Sequence, residues 1–139
     1  MSNASYSRLI SDAIVSKLVT ELSPVPVGDG VAPASVGTPP LYAVVDHMDG
    51  TVRSDLDEAD TRVKHVVQIR SVGATRNAAQ YVQDLARDVL LARDVAVAGI
   101  SLLLVVLEVG GRVYRDDDAD PTSLFLAIDR IAFHFDSRG

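Results

Sequence analysis

Three histidines, His47, His65 and His134, and several runs of carboxylates are the residues of this chain whose chemistry could go beyond packing. Asp46-His47-Met48-Asp49 sets an imidazole among carboxylates, a pattern that could orient a general base or a metal ligand. All three histidines nevertheless fall in segments with strand periodicity, and none is spaced from another as a metal pair. His65 is expected near the core face of its strand, and His134 on the face opposite Phe133 and Phe135. Asp116-Asp-Asp-Ala-Asp120 has the oxygen ligands of a calcium loop, but such a loop needs glycine at its sixth position and glutamate at its twelfth. Those positions hold Pro121 and Ala127. Gly28-Asp-Gly30 lacks the lysine and the helix start that a phosphate cradle requires. No Gly-x-Ser-x-Gly elbow and no His-Glu-x-x-His occurs, and the carboxylates lie in segments read as loops, where nothing would desolvate an acid–base pair. The residues predict no catalytic centre, no cofactor and no metal.

The elements that would have to position any site are easier to read. Arg62 to Val72 alternates: Val63, Val67 and Ile69 share one face, while Arg62, Lys64, Gln68 and Arg70 share the other, where Val66 is an isolated apolar residue. Gly73-Ala74 breaks this strand and Thr75 can cap a helix in which Ala78, Val82, Leu85, Ala86 and Val89 recur at helical spacing. Leu91 falls outside that stripe. An earlier helix is expected from Ser7 to Leu22, with Ile10, Ile14, Leu18 and Leu22 repeating every four residues and Ser23-Pro24 ending it.

Residues 23–40 hold five of the six prolines and three glycines, and they predict a flexible arm with no core pattern of its own, mobile or ordered by a partner. Leu41 to Met48 reads as a strand, and Thr51 to Thr61 as a polar, acidic hairpin tip. Ser101 to Val109 is so uniformly apolar that it predicts a strand covered on both faces. Gly110-Gly111 ends it, and Arg112 to Arg115 continues toward an acidic loop. In the last segment Leu124, Leu126 and Ile128 share one parity, whereas Ile131, Phe133 and Phe135 share the other. That switch predicts a bulge or a change of packing partner near Asp129-Arg130.

The expected architecture is a single α+β domain over residues 1–139. A mainly antiparallel sheet of about four strands carries two helices on one face, in the order helix-strand-strand-helix-strand-strand. A chain of 139 residues with 47% hydrophobic content can build one real core. It has no cysteine, so disulfides and thiolate metal sites are excluded. Its net charge of −6 argues against general nucleic-acid binding, which needs a basic surface. The longest apolar run, Leu102 to Leu107, is far shorter than the roughly 20 residues of a spanning helix. No signal peptide is legible at the amino terminus, so a cytoplasmic origin is expected. Leftover apolar residues such as Val66 and Leu91 suggest self-association.

Four strings carry a likeness beyond composition: Tyr42-Ala-Val-Val-Asp-His-Met-Asp-Gly50, Arg62-Val-Lys-His-Val-Val-Gln-Ile-Arg-Ser-Val72, Gln80-Tyr-Val-Gln-Asp-Leu-Ala-Arg87 and Ile128-Asp-Arg-Ile-Ala-Phe-His-Phe135. With the element order and length, they resemble the tail terminator proteins of long, non-contractile-tailed phages, particularly of actinobacterial hosts. The likeness spans most of the chain from the first helix onward and rests on pattern rather than on a diagnostic motif. It implies a hexameric ring at the head-proximal end of the tail, with other copies of itself, the major tail tube protein and a head-completion or connector protein as partners. DNA would pass through the lumen without specific binding. The expected contact residues are Arg53, Asp55, Arg62, Lys64, Val66, Gln68, Arg70, Leu91, Asp116 and Asp118. Another phage neck component, or a small non-enzymatic ligand-binding domain, is the alternative.

Overall fold

The computed structural model describes residues 3–37, 39–48, 62–116 and 124–136. Helix α1 spans Asn3–Leu22 and starts one turn before the sequence expectation. Its four-residue repeat does what the spacing demands: Ile10, Ile14 and Leu18 are fully buried and Leu22 nearly so. Helix α2 spans Arg76–Leu91, and Thr75 caps it from an extended conformation, its side chain accepting the Ala78 amide at 3.1 Å. The buried stripe of α2 is Ala79, Val82, Gln83, Ala86 and Leu90, turned away from the expected set. Gly73 shows why. A Cβ there would stand 2.5 Å from the Ala79 nitrogen and 2.7 Å from the Ala78 Cβ, so the first turn presses directly on the strand end with Ala78 against Gly73 and Ala79 fully buried. Leu91 likewise packs against the core instead of standing clear of it.

The strands are β1 (Val27–Asp29), β2 (Leu41–Met48), β3 (Arg62–Gly73), β4 (Ser101–Gly110), β5 (Tyr114–Asp116) and β6 (Leu124–Asp136). They form one sheet in the order β1-β2-β3-β6-β4, with β5 also on β6. Every pairing is antiparallel except β1 with β2. The expected class is right, with six strands rather than about four. One addition comes from the proline-rich segment, where β1 pairs along β2 and Val25 is only 6% exposed.

Odd-numbered residues of β2, β3 and β6 face the helices: Ala43, Val45, Val63, Val67, Ile69, Ile131, Phe133 and Phe135 all join the core cluster with the stripes of α1 and α2. Two expectations about the last strands need correction. The β3–β6 register runs without a break from Arg62 opposite Asp136 to Gly73 opposite Phe125, so β6 itself has no bulge at Asp129-Arg130; what changes there is its second partner, from β4, whose ladder ends at Gly110 opposite Asp129, to β5 opposite Leu124 to Leu126. The helix-facing parity simply continues through Ala127 and Asp129, while Leu124, Leu126 and Ile128 lie half-buried on the other face. The irregularities sit in β4, where the register shifts past Leu103 and again past Glu108. Nor is β4 covered on both faces: Leu103, Leu104 and Val109 are exposed, and the strand lies at the edge of the sheet, paired to β6 alone.

No helix among the described residues is long and apolar enough to cross a membrane. Val67 and Phe133 are both fully buried on the helix-facing side. Val67→Asp and Phe133→Asp are therefore each expected to abolish folding, because a carboxylate would be left unpaired in the core. Circular dichroism and thermal melting check this; a cooperative melt near the native temperature in either variant would mean that the strand faces are assigned backwards.

Candidate functional site

A buried carboxylate joins the edge of the sheet to α2. Asp129 lies on the core face of β6 at 2% exposure. Its Oδ1 accepts the Gly111 amide at 2.9 Å, the Gln83 side-chain amide at 3.0 Å and Arg87 Nη2 at 2.8 Å, and its Oδ2 accepts Arg87 Nε at 2.6 Å. Gln83 also donates to the Gly111 carbonyl. The chain breaks between β4 and β5 at this point, and only glycine fits: a Cβ on Gly111 would stand 2.0 Å from the Ile128 carbonyl oxygen. The charge-assisted bond to Asp129 pushes the Arg87 guanidinium pKa further up. Asp129, Gln83 and Arg87 were absent from the expected sites. Their signal was an acid at core parity in an apolar strand, together with an Arg and a Gln four residues apart on the facing helix.

A second polar cluster lies beside α1. His47 Nδ1 and His65 Nε2 are 3.3 Å apart, and Ser11 Oγ is 3.4 Å from the same Nε2. Asp29 Oδ1 lies 3.4 Å from His47 Nε2. The partner carboxylate of His47 is thus Asp29 from β1, and Asp46 instead binds Arg70.

Ser11 donates its own proton to the Ser7 carbonyl at 2.9 Å, which leaves its oxygen free to accept. One assignment serves the contacts between the rings and the helix: His65 carries its proton on Nε2 and shares it between Ser11 and His47 Nδ1, which leaves the proton of His47 on Nε2, an atom that lies 3.4 Å from Asp29 without hydrogen-bonding it. His65 Nδ1 is then a buried acceptor with no partner. The order Asp-His-His-Ser resembles a nucleophile relay, but the serine is hydrogen-bonded into its own helix and His65 is 1% exposed. Its chemistry is to join α1 to β1, β2 and β3. Burial, and then the charge of His47, push the His65 pKa down from 6.5 to about 4. Among the described residues, no three His, Asp or Glu side chains gather where they could hold a metal ion.

The face of the sheet opposite the helices holds half of the expected contact residues. Arg62, Lys64, Val66, Gln68 and Arg70 do share it, as the alternation of β3 requires. Lys64 pairs with Glu108 at 3.0 Å, and Arg70 grips Asp46 through Nε at 2.8 Å and Nη2 at 3.4 Å. Val66 is not exposed: at 9% it is already packed within the lone subunit, between Lys64 and Gln68 along the strand and opposite the buried Ala132. Arg53, Asp55 and Asp118 lie outside the described residues, and of Asp116 only its strand position in β5 is described.

The apolar surface that stands open was not in the expected set. Leu103 and Leu104 in β4 are 45% and 44% exposed, Val109 51%, and Tyr114 in β5 44%. Leu104, Val109 and Tyr114 pair with His134, Arg130 and Leu126, so they lie on the face away from the helices, continuous with half-buried Leu126 and Ile128. A greasy strip thus covers the outer edge of an otherwise charged face.

No protein-family model matches this chain, and no curated protein matches it. Solved structures do. One chain from the virion of a native gene transfer agent particle aligns over 91% of this chain and 93% of its own length, at a TM-score of 0.64 and 16% identity. A second solved chain covers 90% of this one and 93% of its own, at 15% identity and a TM-score of 0.49. The first likeness shows a shared fold.

Two expectations test the buried clusters. Asp129→Asn keeps the shape but offers one acceptor oxygen to donors that now share two, and it leaves Arg87 without its counter-charge. It should cost about 2 kcal/mol, since Arg87 can partly rehydrate. Urea denaturation reads this directly, and an unchanged midpoint would remove Asp129 from its central place. For His65, the unfolded imidazole takes a proton below about pH 6.5 whereas the folded one resists until about pH 4, so the unfolded state binds more protons in that window. Stability should fall as pH drops from 6.5 to 4, by roughly 3 kcal/mol from this group. His65→Gln should lose that part of the acid sensitivity in parallel melts at pH 7 and pH 4; an identical pH slope would refute it.

Proposed function

We propose that this chain is a structural protein of a phage-like virion that assembles as a homo-oligomeric ring, six-membered as in tail terminator proteins. The ring caps the head-proximal end of the tail tube, stops its growth and offers a surface to the head connector. The observation that carries this reading is the fold shared, over nine-tenths of both chains, with a protein of a gene transfer agent virion. The exposed apolar strip of Leu103, Leu104, Val109 and Tyr114 supports it, because contiguous apolar surface on a small domain favours burial against a partner. A closed ring needs two different patches per subunit, and the strip is one of them. In this reading the chain does no catalysis and binds no cofactor. Its net charge of −6 suits a channel that DNA crosses without adhering.

The test mixes the purified chain with growing tail tubes and follows tube length and tip density by electron microscopy. Tubes of fixed length, each with extra density at one tip, are expected from the native chain. A Leu104→Asp/Val109→Asp variant should fold normally, because both positions are exposed, yet fail to cap. Binding to head portals alone would identify a head-closure component instead, and no binding to either would end the virion reading.

A further inference from the structure

We infer that the turn at Val31, on the β1 edge of the sheet, is the second ring patch, and that it seats on the apolar strip of β4 and β5 of a neighbouring copy of this chain. The inference rests on the ring reading above and names the contact that closes such a ring.

Val31 is 70% exposed, more than any other large apolar side chain of the described residues. Its backbone is held in place. Gly30 turns the chain at a φ of +77°, a conformation natural to glycine, and donates its amide to the Val45 carbonyl at 2.8 Å. Gly28 has no room for a side chain, because a Cβ there would meet the Val31 carbonyl oxygen and Pro33. Gly28 pairs with Val44 in the parallel ladder of β1 and β2, and Val44 has the parity of the face away from the helices. The turn therefore rises over that face. A bare valine fixed on a hydrogen-bonded turn has little freedom left to lose when a partner covers it.

Val31 cannot cover the strip of its own subunit. β1 and β4 are the two ends of the strand order β1-β2-β3-β6-β4, four spacings or about 19 Å apart. Leu104, Val109 and Tyr114 stand at the far edge, on the same face as the turn. A narrow projecting patch and a broad one, at opposite edges of one face, are the two unlike surfaces of a head-to-tail contact. The remaining exposed large apolar side chains among the described residues, Val19 on α1 and Tyr81 on α2, belong to the helix layer across the sheet.

Size favours a ring over a pair. The four strip residues expose between 44% and 51% of their surface. That is on the order of 300 Å² of apolar area, whereas a stable two-body interface takes about 800 Å² from each partner. A contact this small holds where every copy makes it twice, once with each patch. Pairing strip with strip would leave Val31 bare and stop at two copies.

The chain has no cysteine, so introduced thiols report a single contact. Val31→Cys, Leu104→Cys and Val31→Cys/Leu104→Cys are checked by thermal melt, bound to tail tubes, treated with a short bismaleimide and run on a denaturing gel. Both positions are exposed, so each variant should fold. The double variant should give a ladder of covalent multimers ending in a closed species. A mixture of the two single variants should give dimers, and each single variant alone should stay monomeric. Val31→Asp should raise the concentration needed to cap tubes at least tenfold. The inference is overturned, and the ring reading stands, if the double variant caps tubes without a ladder, if either single variant alone links into dimers, or if Val31→Asp caps as the native chain does. Linking of Leu104→Cys to Val19→Cys or Tyr81→Cys instead would assign the second patch to the helix layer and overturn it equally. If the native chain neither caps tubes nor self-associates, both readings fall.

Discussion

The carboxylate of Asp129 is the point on which the far side of this molecule depends. Buried in a strand that is otherwise aliphatic and aromatic at that parity, it must find donors for both oxygens or be expelled. The fold answers with four, from Gln83, Arg87 and the Gly111 amide. Each donor fixes something different. Arg87 and Gln83 set the rotation of α2 on the sheet, and Gly111 sets where β4 ends and β5 begins. The glycine is obligatory there because the Ile128 carbonyl occupies the space of any side chain. The exposed strip on β4 and β5 inherits its position from this one acid.

The pair of histidines plays a comparable part at the opposite edge of the sheet. Ser11, His65, His47 and Asp29 connect α1, β3, β2 and β1 in a single file of polar contacts. Each helix is therefore tied to the sheet by one polar cluster in addition to its apolar stripe. The two differ in consequence. The Asp129 cluster is satisfied as a charged group, whereas His65 stays neutral in its file, its proton opposed by burial and by the neighbouring His47.

Much of this was legible in the sequence, for a physical reason in each case. The repeat of Ile10, Ile14, Leu18 and Leu22 and the alternation of β3 were read correctly because helix and strand periods are local properties of the chain. The α+β class followed from the order of elements. What failed depended on neighbours. The segment Ser101 to Gly110 has no alternation, and uniform apolarity fits an edge strand with two extra residues as well as it fits a buried central one. The parity switch in β6 was real, but it marked two apolar faces on one straight strand. Val66 looked exposed because its sequence neighbours are polar, while its packing is decided by cross-strand partners such as Ala132. The histidine file and the Asp129 cluster join residues 18 to 54 positions apart, a separation that no local pattern encodes.

The irregularity of β4 bears on how such a surface can be kept safe. A long, flat, apolar edge strand is a template for unlimited strand addition, and open-ended growth would be fatal to a protein proposed to stop at a closed ring. Leu103 and Glu108 each interrupt the ladder, so the outer edge does not present a regular row of amides and carbonyls over more than a few residues. Ladder hydrogen bonds with a neighbour are thereby disfavoured, while the side chains of Leu104, Val109 and Tyr114 stay available on the outer face. Contacts made through side chains on one face can fix an angle between subunits. A sheet edge that simply continued into the next copy would not, and it is a fixed angle that lets a ring close.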